Sequence, residues 1–299
     1  ALPISQAWQF SEAAKKQGKP TAFFLGPNFE RYIEVSQKIM EIIRSYSPSV
    51  EEASIDEAYF DLSHTGSYER AKETAQALKK AIVSRELLTA SIGVGPNKLI
   101  AKIASDMQKP DGLTMVEEKD AEKFLEPLSI RKIPGIGPKT EILFQKLGVR
   151  QVCDLKKYSH EELVEMLGKW GSDLYEKIRG RDDSPIKEEE DVKSIGEQET
   201  FPKDTLDPNL ILERLSAICV SIADRLISEG FSGFRTAVVT VRFGDFETKS
   251  RSHTLARACN KFGPLYFEIM KLFMPFLDAR ENPRGKSIRL VGVRVEKLV

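Results

Sequence analysis

The stretch SVEEASIDEAYFDLS, residues 49–63, alternates weakly between apolar and polar residues on both sides of a polar centre, Ser54-Ile55-Asp56-Glu57. Period-2 alternation belongs to strands, so the segment reads as two short strands meeting at an acidic tip. On its N-terminal side Asn28 caps a helix that runs through about Ser45, since Phe29, Ile33, Ile39, Met40, Ile43 and Tyr46 recur at helical spacing. On its C-terminal side a helix from about Ser67 to Arg85, with Ala71, Ala75, Leu78 and Ile82 on one face, leads into the strand LTASIGVG. Pro96 or Asn97 then opens a helix that ends near Lys109-Pro110-Asp111-Gly112, a stop marked by both Pro and Gly. Strand, helix, strand and helix around a mainly antiparallel sheet make an α+β layer.

From about residue 117 to 185 the texture changes to short helical pieces broken by Gly and Pro, most sharply at Pro134-Gly135-Ile136-Gly137-Pro138-Lys139. Residues 182–193, DDSPIKEEEDVK, hold a charge run with little apolar content and read as an exposed linker. The last hundred residues then read strand, helix (207–229), strand (234–243), strand (247–255), helix (258–276), strand (286–297), the β-α-β-β-α-β order of a ferredoxin-like unit. In the final strand the apolar positions change phase after Leu290, which predicts a bulge near Leu290-Gly292.

Composition excludes several classes. With 299 residues, 41% hydrophobic and 30% charged, the chain has enough apolar material for two or three cores and is neither disordered nor fibrous. No apolar run reaches the ~18 residues of a membrane span. Cys153, Cys219 and Cys259 are too scattered for a disulfide framework or a metal knot, so a reduced, cytoplasmic protein is expected. The net charge of zero hides an asymmetry, because residues 235–299 carry thirteen basic against six acidic side chains. That is the electrostatic footprint of a polyanionic partner such as nucleic acid. Candidate contacts in it are Lys249 and Arg251, which with His253 share one face of a strand, and Arg289 and Arg294 in the last strand.

Two constellations carry chemistry. Asp56 and Glu57, followed by Asp61, sit at a turn where adjacent carboxylates can converge on one cation; hard oxygen ligands suit Mg²⁺, and Mg²⁺ suits phosphate substrates. The second is IPGIGPKT, residues 133–140, at the start of a helix that carries Ile142, Leu143, Leu147 and Val149. Gly135 and Gly137 let backbone N–H groups approach a phosphate closely, and Lys139 and the helix dipole add favourable charge. This is a helix-hairpin-helix signature, a sequence-independent clamp on a DNA backbone. Lys98, Lys102 and Lys109, in SIGVGPNKLIAKIASDMQKPDG at 91–112, each read in isolation as solvated helix residues. His64, His160 and His253 are scattered, and no phosphate-binding P-loop or dinucleotide fingerprint occurs.

Taken together, SIDEAYFD at 54–61, the segment 91–112 and IPGIGPKT at 133–140 resemble, in order and spacing, the Y-family translesion DNA polymerases of the DNA polymerase IV type. The resemblance implies a right-hand polymerase of α+β class. Its parts are the end of the fingers (1–28), a ferredoxin-like palm (29–116), a helical thumb with the helix-hairpin-helix (117–185), a linker (186–192) and a βαββαβ little finger (193–299). It implies low-fidelity, template-directed DNA synthesis across damage with two Mg²⁺ ions, Asp56 and Glu57 being metal ligands and Lys109 the lysine on the incoming triphosphate. Primer-template DNA and a deoxynucleoside triphosphate are the implied partners, with a sliding clamp as a further one; a monomer without membrane association is expected.

The match also has departures. The family's first strand, with its additional metal-binding aspartate, and its fingers segment with a Tyr-x-x-x-Arg pair on the triphosphate are not found at the start of the residues given, and a clamp-binding tail after Val299 is not expected. The expectation is therefore an N-terminally truncated chain that binds primer-template DNA weakly without synthesising. Two alternatives stay open: a non-catalytic polymerase-like scaffold, and a repair module that uses the helix-hairpin-helix alone. Clustered carboxylates, costly to keep together, favour the enzyme.

Overall fold

The computed structural model describes residues 3–20, 22–188 and 191–299. The chain divides into two compact units, residues 1–189 and 190–299. None of the described helices is long and apolar enough to cross a membrane.

The first unit opens with α1 (Ile4–Lys16), whose residues are all at least partly exposed, and α2 (Phe29–Arg44), capped by Asn28 Oδ1, which accepts the Arg31 N–H at 3.0 Å. Only the C-terminal half of α2 packs: Met40, Ile42 and Ile43 are buried while Phe29 and Ile33, which the sequence pattern assigns to the same face, remain exposed. The acidic segment folds into β1 (Val50–Ser54) and β2 (Glu57–Phe60), an antiparallel hairpin with a register shift between Glu52 and Ser54. Helix α3 (Tyr68–Glu86) buries Ala71, Ala75, Leu78 and Ile82, the face its periodicity predicts.

Ladder pairing is shorter than the sequence suggests. Leu87, at φ 58°, ends α3 in a left-handed turn, and of the stretch 88–95 only β3 (Ile92–Val94) joins a ladder. Helix α4 (Lys98–Ser105), capped by Asn97, stops short of Lys109 because Asp106 and Met107 already make tightened i→i−3 bonds. Strand β4 (Leu113–Met115) pairs with β3 in parallel, as a crossover through a helix requires. Strands β1 to β4 thus pair two by two rather than as the mainly antiparallel sheet expected. A cleft of about 1570 Å³ is lined by residues of both pairs and of α2, α3 and α4. Gly93 shows why β3 and α4 fit so closely: a Cβ there would stand 2.0 Å from the Ala101 carbonyl oxygen.

The helical region holds α5 (Ala121–Leu125), α6 (Pro138–Lys146), α7 (Val152–Leu155), α8 (His160–Leu167) and α9 (Lys169–Lys177). Phe144, Val149, Leu163 and Leu174 fill a core that also receives Leu99, Ile100 and Ile103 of α4, so this helical region and α4 share it. On α6 it is Phe144 that turns inward, while Ile142, Leu143 and Leu147 stay exposed.

The second unit runs β5 (Ser194–Thr205), α10 (Pro208–Ser228), β6 (Phe234–Phe243), β7 (Thr248–Cys259), α11 (Phe262–Phe273) and β8 (Ile288–Leu298), the element order read from the sequence. Its sheet is antiparallel throughout, with strand order β5-β8-β6-β7. Phe243 pairs with Ile288 and Arg242 with Leu290, which places the bulge of β8 at Arg289, just ahead of the predicted position. Val291, Val293 and Val295 meet Ile211, Leu215 and Ile269 in one apolar core beneath the helices.

Candidate active site and nucleic-acid interface

The β1–β2 register sets Ser54 opposite Glu57, so Ile55 and Asp56 form a two-residue turn. Asp56 lies in that turn and Glu57 begins β2; this irregularity lets two adjacent carboxylates line the same cleft. Ser54 Oγ donates to Asp56 Oδ1 at 2.5 Å, and Asp56 has no ion pair among the described residues. Glu57 is paired with the Lys102 ammonium. Asp61 serves the local chain: its Oδ1 accepts the Ser63 N–H at 2.7 Å, and hydrogen bonds from Ser63 hold its carboxyl below the usual range.

Lys109 lines the same cleft although it is fifty-odd residues distant. Its Nζ lies 2.7 Å from Asp106 Oδ1. That hydrogen bond, followed by the charges of Asp106, Glu57 and Asp56, raises the Lys109 pKa, so the ammonium lies in the field of both hairpin carboxylates. Three residues singled out from sequence are therefore gathered in one place.

Two further side chains belong to this site and were read from sequence as solvated. Lys98 and Lys102 stand one turn apart on α4, facing the hairpin. Lys98 Nζ reaches both oxygens of Glu51, at 2.5 and 2.6 Å, and lies 4.8 Å from the Tyr59 ring centroid. Burial pushes the Glu51 carboxyl up, but the Lys98 hydrogen bond and the Lys187 amide, 2.8 Å away, more than offset it and leave it lowered. The start of the supposed linker is thereby fastened. Asp182 Oδ2 accepts the Leu99 N–H at 3.1 Å, Asn97 donates to the Gly180 carbonyl at 2.8 Å, and Lys187 holds Glu51. Only a tertiary contact distinguishes such lysines from solvated ones; the i, i+4 spacing opposite an acidic strand was the one available signal.

A divalent cation fits the donor set. Asp56 and Glu57 offer hard, accessible oxygens, while no group of three or more acidic, His or Cys side chains converges among the described residues. Mg²⁺ is commonly bound in that way, by one or two carboxylates with water and substrate phosphate completing the shell.

In the helical region, Ile133 and Ile136 are buried and fix the loop between them. Arg131 Nη1 donates to the Ile136 carbonyl at 2.6 Å, and Gly137 caps α6 with Pro138 at its first position. Gly135 has φ 99° and its α-carbon faces Trp170; the left-handed backbone requires glycine. Neither the Gly135 nor the Gly137 amide donates to the protein among the described residues, and Lys139 is exposed beside them. The arrangement presents N–H groups and a cation to an anion.

In the second unit Ala237, Val239 and Val241 face the core, so their β7 partners Lys249, Arg251 and His253 lie on the helix side of the sheet. There Lys249 Nζ donates to the Glu281 carbonyl at 2.7 Å, Arg251 Nη1 to Glu281 Oε1 at 2.6 Å, and His253 Nδ1 lies 2.8 Å from Glu268 Oε2. The opposite face carries hydroxyls: Thr236 with Thr254 and Thr240 with Ser250, each pair at 2.9 Å. Arg294 shares that face and pairs with Glu296 at 2.5 Å, whereas Arg289, in the bulge, pairs with Asp204 at 3.3 Å. Arg242, which the sequence reading passed over, also lies on the hydroxyl face, its Nε 2.9 Å from Thr248 Oγ1.

An acidic hairpin in a cleft, a phosphate-type hairpin on a helical region and a basic βαββαβ unit together describe a nucleic-acid polymerase. Family profiles cover these parts in turn: the impB/mucB/samB family over residues 2–106, the thumb domain of DNA polymerase-iota over 131–182, and the impB/mucB/samB family C-terminal domain over 192–299. DNA polymerase IV 2 of Methanosarcina mazei is 39% identical over 299 residues, covering 100% of this chain and 77% of that protein. DNA polymerase IV of Leptospira interrogans serovar Lai is 36% identical over 296 residues, 98% of this chain and 79% of the relative. Among solved structures, a Y-family DNA polymerase chimera superimposes with a TM-score of 0.83 at 25% identity, covering 100% of this chain and 83% of the other. A post-insertion binary complex of Dbh DNA polymerase gives 0.63 at 25% identity, with 100% and 84% covered. The chain belongs to the impB/mucB/samB family, the Y-family DNA polymerases of the DNA polymerase IV type, and its activity is DNA-directed DNA synthesis of the translesion class.

Proposed function

We propose that Asp56 and Glu57 hold the divalent cations of this polymerase, that Lys109 steadies the triphosphate of the incoming deoxynucleotide, and that the 133–140 hairpin and the C-terminal sheet hold primer-template DNA. The supporting observation is the convergence of Asp56, Glu57 and Lys109 on one cleft from two distant segments.

The reaction joins the primer 3′ oxygen to the α-phosphorus and releases pyrophosphate. Bound Mg²⁺, of which the family resemblance implies two ions, supplies Lewis-acid stabilisation of the charge that develops on the phosphoryl oxygens. Asp56, without an ion pair among the described residues, offers its carboxylate, and Lys102 holds Glu57 in place from α4. Lys109 places a positive charge and N–H donors beside the phosphates, the form of help such a transfer needs most. The amides at Gly135 and Gly137, which have no protein acceptor among the described residues, take backbone phosphates with Lys139 irrespective of sequence, so binding is expected to weaken steeply with salt.

Primer extension by the full-length gene product tests this reading. Asp56→Asn should lower the extension rate by on the order of 10²-fold or more while primer-template affinity stays within about twofold. Binding of Mn²⁺, followed by electron paramagnetic resonance, should weaken in parallel. Extension at the wild-type rate by Asp56→Asn would remove the assignment.

A further inference from the structure

Lys79 lies on α3, remote in sequence from every residue assigned above, and its side chain is only 15% exposed. Its ammonium is surrounded by oxygens: the Ala90 carbonyl at 2.5 Å, the Asp111 carbonyl at 2.8 Å, Asp111 Oδ1 at 2.5 Å and the Gly112 carbonyl at 3.3 Å. An ammonium has three N–H donors and no acceptor, so this cage saturates it. The oxygens come from two segments, the approach to β3 and the turn from α4 to β4. That turn carries Lys109 and has an exacting backbone. Asp111 has φ 57°, in the left-handed region, and a Cβ on Gly112 would stand 2.4 Å from the Gln108 carbonyl oxygen. Ser91 Oγ adds a hydrogen bond from the Gly112 amide at 3.2 Å.

Lys109 itself has a long, half-exposed side chain held, among the described residues, at Asp106 alone. The position from which it reaches into the cleft is therefore set by its backbone, and the charge that fixes that backbone two residues on is Lys79. We propose that Lys79 is a positioning residue for nucleotide binding, which locks the 109–112 turn so that Lys109 meets the triphosphate. This inference rests on the assignment of Lys109 above. Asp111, gripped through both its carbonyl and its carboxylate, is the handle by which the lock is applied.

A double-mutant cycle in the full-length gene product tests the inference, with the KM for dNTP and kcat read from primer extension and DNA affinity from fluorescence anisotropy. Lys79→Met should raise the KM for dNTP on the order of tenfold, since a small misplacement of a binding group has effects of that size or larger. Primer-template affinity should stay within about twofold, and Lys79→Arg should recover most of the loss. In a Lys109→Gln background the same Lys79→Met change should add less than about twofold, because the group it positions is gone. A folded Lys79→Met protein with unchanged KM, or an equal rise in both backgrounds, overturns the inference while leaving Lys109 in its role. An unchanged KM in Lys109→Gln alone overturns the Lys109 assignment, and the inference with it. Should Lys79→Met fail to fold, Lys79→Gln, which keeps amide donors without the charge, carries the same cycle.

Discussion

The acidic hairpin of the first unit and the basic sheet of the second handle charge in opposite ways. At the hairpin Asp56 has no ion partner among the described residues, even though lysines of α4 hold its neighbours Glu51 and Glu57. In the second unit several of the residues that make the sequence basic are paired in place: Lys249 and Arg251 with Glu281, Lys286 with Asp245 and Glu247, Arg289 with Asp204, and Arg294 with Glu296. A count of charges thus overstates how much bare cation the second unit offers, while a cluster of only two acids understates how exposed the hairpin charge is. At the hairpin it is Asp56 that stands without a structural partner among the described residues, which a count of charges does not reveal.

The largest expected effect comes from removing the hairpin charge next to Asp56. Glu57→Gln should lower primer extension by roughly 10²-fold, measured with the full-length gene product. Lys249→Met, on the neutralised side, should leave the extension rate within about twofold. Equal losses from the two changes would erase the distinction between the regions.

A second effect is on stability. Lys98 and Glu51 have side chains only 18% and 11% exposed, and Lys98→Met leaves the carboxylate with the Lys187 amide alone. Breaking such a pair should destabilise the first unit by about 2–4 kcal/mol, toward the lower end because water still reaches the site. Both tryptophans, Trp8 and Trp170, lie in the first unit, so urea unfolding followed by tryptophan fluorescence reads it selectively. A shift under about 0.5 kcal/mol would mean that Glu51 is solvated like its neighbours.

These contrasts mark how far the sequence could be read. Element order, the cap at Asn28, the helix starts near Ser67 and at Pro96 or Asn97, and the acidic turn at Asp56 follow from local rules of spacing and capping, and the structure has them in place, with Ser67 and Asn97 as the caps. The approach of Lys98, Lys102 and Lys79 to their partners did not follow, because a lysine bound to a distant carbonyl or carboxylate has the same local sequence as a solvated one. For the same reason DDSPIKEEEDVK read as free linker although Asp182 and Lys187 are tied to α4 and β1. The phase of β7 was also hidden. Neither of its faces is apolar, and only pairing with β6, whose alternation is plain, turns Lys249 and Arg251 toward the helices.

Releasing those two side chains sharpens the contrast from the other direction. Glu281→Gln frees Lys249 and Arg251 from their carboxylate. Primer-template affinity at low salt should tighten by a few-fold, and the slope of log affinity against log salt should steepen by about one. An unchanged slope would show that the helix side of the sheet does not meet DNA, leaving Arg242, Arg294 and the hydroxyl face to do so.

The smallest expected effect concerns Glu268, buried where His253 and Lys271 meet. Burial alone would push its carboxyl up, but the hydrogen bonds from Lys271 and His253 prevail and leave it below its ordinary value. A carboxyl lowered in the folded state binds its proton less readily there than in the unfolded chain. Its contribution to stability is therefore complete above the unfolded value of about 4.3 and fades as the pH falls through the lower folded value. Circular dichroism of acid unfolding should show Glu268→Gln losing less stability than wild type below about pH 4, by no more than about 1 kcal/mol given how exposed both partners are. An identical acid limb in the two proteins would place Glu268 among the solvated carboxylates. The same titration leaves Cys219 as a control from the opposite sign: burial pushes its thiol up to about 12, so it should remain unlabelled by a thiol reagent at pH 8 while exposed Cys153 reacts.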